Sequence, residues 1–83
     1  MYTLVYRRKE TENNNVFKSA FTQGDFRLRK NALHFLWEVI ENDYREAGYA
    51  TEKRIGGLYC YKSSKNAQGG RKIVEEWIKV EKY

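Results

Sequence analysis

His34 and Cys60 are the only histidine and the only cysteine in the chain, and any nucleophilic or metal chemistry would start from them. A reactive thiolate needs an exposed, electropositive setting and a base beside it. Cys60 instead lies in the alternating run LYCYK at residues 58–62, on the same side as Leu58, where it reads as a small buried apolar residue. His34 falls on the polar side of a helical stretch, with no partner converging on it. A structural zinc site takes three or four His, Cys, Asp or Glu ligands, and one His with one Cys does not begin one. The glycine pairs at 56–57 and 69–70 lack the further glycines, at set offsets before a helix, that a phosphate-binding loop requires. The expectation is therefore a protein that is not an enzyme, with no cofactor and no metal.

Binding chemistry is better represented. The chain carries 16 Lys and Arg against 11 Asp and Glu, a net charge of +5. A surplus of this size favours an anionic partner: nucleic acid, an acidic protein face or a lipid surface. The cations fall into four groups. These are Arg7-Arg8-Lys9, then Arg27, Arg29 and Lys30, then Lys53-Arg54, and finally Lys62, Lys65, Arg71 and Lys72. The second group stands at a helix start, where positive side chains oppose the helix dipole, so a use outside the fold is expected of it. The last group brackets the polar stretch SSKNAQGG at residues 63–70, a hairpin tip suited to following a phosphate backbone. Tyr59, Tyr61 and Trp77 reach the open face of a sheet if Leu58 and Cys60 point inward. Rings flanked by Lys and Arg on such a face stack single-stranded bases or anchor protein partners. The candidate macromolecule-binding residues are thus Arg7, Arg8, Arg27, Arg29, Lys30, Tyr59, Tyr61, Lys65, Arg71, Lys72 and Trp77.

The elements that must carry these residues are organised around residues 26–48, FRLRKNALHFLWEVIENDYREAG. At about 100° per residue, Ala32, Leu33, Phe35, Leu36, Trp37, Val39, Ile40, Tyr44 and Ala47 share an arc of roughly 200°. So wide an arc needs a cover, and the β-rich remainder supplies a sheet. Asp43 falls near the centre of that arc, so it is expected at a rim with a cationic partner. Asp25 is the first candidate cap, with a later start near Asn31 as the alternative; Gly48 suits the C-terminal stop. Residues 2–22 read as a hairpin with its turn in ETENNN. Residues 49–55 are a weak strand candidate, Gly56-Gly57 a turn, 58–62 a strand, and 72–83 a last strand. In that last strand Glu76 shares a face with Val74, Ile78 and Val80. This calls for a bulge near Glu75-Glu76, an edge position, or a partner. The fold class expected is α+β: one domain over residues 1–83, an antiparallel sheet of four to five strands with one amphipathic helix on one face, in ββαββ order.

Eighty-three residues allow a modest core, which 16% aromatic content helps to fill. A single cysteine excludes an internal disulfide and points to a reducing compartment. No apolar run approaches the length that spans a bilayer, and MYTLVYRRK lacks the order of a signal peptide, so the expected setting is cytoplasmic without membrane contact. In size and in its Tyr-, Lys- and Asn-rich composition the whole chain resembles the small accessory proteins of bacteriophages and mobile elements, anti-CRISPR proteins among them. That resemblance implies an inhibitor that binds a host nucleic-acid-handling protein or a defence complex. Direct binding of DNA or RNA is the alternative. A homodimer through an exposed sheet edge or the Asp43 region is left open.

Overall fold

Strict alternation in the first quarter of the chain builds a long hairpin. In the computed structural model, which describes residues 1–83, β1 (Tyr2–Glu12) and β2 (Asn15–Phe26) pair antiparallel around an Asn13-Asn14 turn. Asn13 has a φ of 55°, the positive value that the first position of a II′ hairpin turn demands and that Asn tolerates well. After the helix come β3 (Ala50–Arg54), β4 (Gly57–Lys65) and β5 (Arg71–Lys82). All neighbours are antiparallel, in the order β2-β1-β5-β4-β3. The first and last strands are therefore side by side in the middle of the sheet, and β2 and β3 are its edges.

Helix α1 spans residues 29–46. It is α-helical over Arg29–Phe35, π-helical over Leu36–Ile40, and α-helical again over Glu41–Glu46. It crosses one face of the sheet from β1 and β2 toward β3. Beneath it Leu4 is opposite Val80, Tyr6 opposite Ile78, and Leu58 opposite Ile78. Leu4, Tyr6, Leu58 and Ile78, with Ala32, Leu36, Ile40 and Cys60, form the dry centre, and Tyr2, Phe26, Phe35, Trp37, Tyr44, Tyr49 and Val80 close its margins. The helix ends in a Schellman motif: Gly48 N–H donates to Arg45 O, and Tyr49 N–H to Tyr44 O. Gly48 takes a φ of +91°, and the Tyr44 and Tyr49 rings meet edge-on at 5.0 Å, the apolar contact that accompanies this motif. No helix is long and apolar enough to cross a membrane.

Several expectations are revised. The element order is ββαβββ, not ββαββ, because Ala50–Arg54 pairs with β4 as a short edge strand. Strand β2 does not stop at Thr22; it continues to Phe26 through an irregularity at Gly24, whose φ is +83°. Asp25 is therefore in a strand and caps nothing. The helix starts at Arg29 behind Leu28, without a side-chain cap, closer to the later of the two starts considered. The π-helical turn winds about 4.4 residues per turn instead of 3.6, which rotates the buried stripe. Val39, Asp43 and Ala47 consequently face solvent, while Glu41 turns inward and meets Arg45 at 3.5 Å. Strand β5 needs no bulge; its register is continuous on both sides. Glu76 is buried and has partners: Arg8 Nη1 at 3.2 Å and the Tyr44 hydroxyl. The tight turn before β4 is Ile55-Gly56. The loop after it is only residues 66–70, because β4 runs on to Lys65.

Candidate macromolecule-binding face

Because strand side chains alternate, the helix-covered face takes Leu4, Tyr6, Leu58, Cys60, Glu76 and Ile78, and their neighbours take the other. That second face is uncovered. Rows across it follow from the register: Ala20, Arg7, Trp77, Tyr59 and Glu52 in one, and Lys18, Lys9, Glu75, Tyr61 and Ala50 in the next. Tyr59, Tyr61 and Trp77 therefore do share the open face. The Tyr59 and Trp77 rings are 5.5 Å apart and tilted by 49°. The Arg54 guanidinium lies 4.4 Å over the Tyr59 ring, and the Tyr59 hydroxyl donates to Glu75 Oε2 at 2.7 Å. Burial, reinforced by that bond to a carboxylate, pushes the Tyr59 phenol up to about 12.

Beside Trp77 the strands leave a shallow concavity bounded by Arg7, Lys9, Lys18 and Ala20. Its cationic neighbours are Arg7, Lys9 and Lys18. Over the whole open face the basic side chains are Arg7, Lys9, Lys18, Arg54, Lys65, Arg71 and Lys79, seven against the four acids Asp25, Glu52, Glu75 and Glu81. That difference, three, is more than half of the chain's net +5. Arg7 and Glu81 are 3.6 Å apart, but both are about half exposed, so the pair is weak.

The other candidates are elsewhere. Arg8 points to the helix side and is bound by Glu10 and Glu76. Lys72 is also on that side, 3.7 Å from Glu10. Both are thus paired with carboxylates of the sheet and do not lie on the open face. Arg27, Arg29 and Lys30 are exposed at the start of the helix, away from the open face, with the Arg29 guanidinium beside Gly56. Lys65 and Arg71 face each other across the β4–β5 hairpin, and Arg71 Nη1 donates to Ser63 Oγ at 3.1 Å. The loop between them is tied down by Asn66: its Oδ1 accepts from Gln68 N–H and Gly70 N–H, and its carbonyl accepts from Gly69 N–H. Lys9, Lys18, Arg54 and Lys79 are the cations sequence reasoning did not select. Their alternation with inward residues was a usable signal for Lys9 and Lys79. Placing Lys18 and Arg54 required knowing the strand neighbours.

Cys60 is buried against the core, and burial pushes its thiol up to about 12. His34 is exposed on the helix, and no three His, Cys, Asp or Glu side chains are grouped as metal ligands. No family model matches the chain, and neither a curated protein nor a solved structure matches it significantly.

Proposed function

We propose that the chain is a non-enzymatic macromolecule-binding protein that uses the open sheet face, and that single-stranded nucleic acid is the occupant this face fits best. The observation that carries this reading is the position of Trp77 in a concavity rimmed by Arg7, Lys9 and Lys18, on a face holding a surplus of three positive charges. A base stacking on Trp77 places its flanking phosphates among those cations. Each stacked base contributes about 1–3 kcal/mol, and the phosphate contacts make binding salt-dependent.

A second reading has its own support. Glu52, Glu75 and Glu81 share the face, and Tyr59 is already engaged by Arg54 and Glu75, an arrangement suited to a protein partner with mixed charge. A host nucleic-acid-handling protein or defence complex, as the compositional resemblance implies, is that partner.

Anisotropy of labelled single-stranded oligonucleotides, titrated at several salt concentrations, separates the two. Three phosphate contacts give a log–log slope of about −2 at about −0.7 per contact. Trp77→Ala weakens binding by roughly 5- to 150-fold, and the double substitution Arg7→Glu, Lys9→Glu flattens the slope. Absence of binding to any oligonucleotide at low salt removes the nucleic-acid reading and leaves the protein partner.

A further inference from the structure

The two edges of the sheet differ sharply. Strand β3 is five residues long and carries Glu52, Lys53 and Arg54, the short, charged design that blunts an edge. Strand β2 is twelve residues long, all but its last residue exposed, with Lys18 and Asp25 as its only charges. Val16, Phe17 and Phe21 are each more than half exposed on it. A long, net-neutral, ring-bearing edge is the one place where two copies of a +5 chain can approach closely without strong repulsion.

We propose that β2 is a homodimer edge, pairing antiparallel with β2 of a second copy about a two-fold axis at Ser19. The register follows from the hairpin. In a two-residue hairpin the flanking pair, Glu12 and Asn15, exchanges both backbone bonds, so Phe17, Ser19 and Phe21 also turn their N–H and C=O toward β1. Val16, Lys18, Ala20 and Thr22 turn theirs outward, free for a new strand. Only registers that match these outward groups are allowed. Moving the axis to Lys18 sets Lys18 against its own copy. Moving it to Ala20 sets Phe17 against the copy's Gln23. With the axis at Ser19, Lys18 meets Ala20 of the other copy, Val16 meets Thr22, and Phe17 meets Phe21. The Phe pairs then occupy non-hydrogen-bonded positions, where facing side chains are closest. Phe21 is already half supported from within, stacked on Tyr6 at 4.4 Å and 7°.

An axis normal to the sheet keeps both helices on one side and joins the two open faces on the other. The seam then runs beside the concavity at Trp77, so each copy's Lys18 lies near the other's basic rim. The pairing does not depend on what that face binds.

Sedimentation equilibrium from about 5 to about 500 µM tests the association; the expected mass rises from 10.0 kDa toward twice that value. Phe17→Lys holds the chain at the monomer mass, with the melting temperature that the wild type shows in dilute, monomeric solution. The register is read by cysteine substitution. Ser19→Cys meets its own copy with Cα atoms about 4.5 Å apart, within disulfide reach, and forms a covalent dimer on mild oxidation. Val16→Cys lies about 20 Å from its copy and does not. A monomer mass throughout overturns the proposal. So does a dimer in which Ser19→Cys fails to cross-link, or cross-links no faster than Val16→Cys.

Discussion

Glu76 is the residue on which the middle of the sheet turns. It is 2% exposed, on the central strand, between Arg8 and the Tyr44 hydroxyl. Burial raises its carboxyl above the usual range, and Arg8 offsets this only in part. Protonated Glu76 is thus favoured by folding. Its contribution is fully present below the unfolded value of about 4.3 and is lost as pH rises through the higher folded value. Chemical denaturation of wild type and Glu76→Gln at pH 4 and pH 7 checks the sign: the stability of wild type relative to the variant falls as pH rises. Glu76→Ala, which removes the acceptor of the Tyr44 hydroxyl and leaves Arg8 with Glu10 alone, costs about 2–3 kcal/mol, less than most broken buried pairs because Arg8 keeps one carboxylate and is one-third exposed. A partner for Glu76 was one of the options the strand pattern left open. That the partner is Arg8, 68 residues away, was not legible, because Arg8 looks like one member of a basic run. Cys60, by contrast, was readable from its neighbours alone. With its thiol raised by burial, it should resist thiol reagents in the native protein and react only once unfolded, which a denaturant series with a chromogenic disulfide reports.

Among the elements, the helix was legible in existence and C-terminal stop, since its apolar period and Gly48 are both local signals. Its start was obscured because no side chain caps it, and Asp25 mimics a cap while belonging to β2. Its inner face was misread by one local feature, the π-helical turn at Leu36–Ile40, which no periodicity at 3.6 residues can represent. Leu36 sits at that turn with no exposure, in contact with the sheet, so Leu36→Ala should cost about 2–5 kcal/mol in urea unfolding. Gly48→Ala should cost about 1 kcal/mol or more through its left-handed backbone, with little change in the slope of the denaturation curve. The hairpin of β1 and β2 was also visible as alternation, but β2 runs past the polar break at 22–25 because Gly24 absorbs an irregularity instead of ending the strand.

At the scale of the whole molecule, the separation of covered and uncovered faces was legible for the stretch of β4 around Leu58 and Cys60, whose inward residues are apolar, and less so for β5, where Glu76 interrupts the inward run of Val74, Ile78 and Val80. The assembly of Arg7, Lys18 and Trp77 around one concavity was not, since they come from three strands that meet only through the sheet order. That order predicts a gradient in amide exchange. Protection should be greatest in the central stretch of β5 around Trp77 and Ile78. It should be least at the outward amides of β2, namely Val16, Lys18, Ala20 and Thr22, measured in dilute solution.

The adjacency of β1 and β5 also sets the pace at which this chain matures. Tyr2 pairs with Lys82, so the central ladder closes a loop of almost the entire polypeptide. Contacts of such sequence separation slow the search for the native state into the millisecond-to-second range typical of β topologies. On the ribosome, the two hairpins β1–β2 and β3–β4 can form early but cannot join, and their unsatisfied edges wait until β5 has left the exit tunnel.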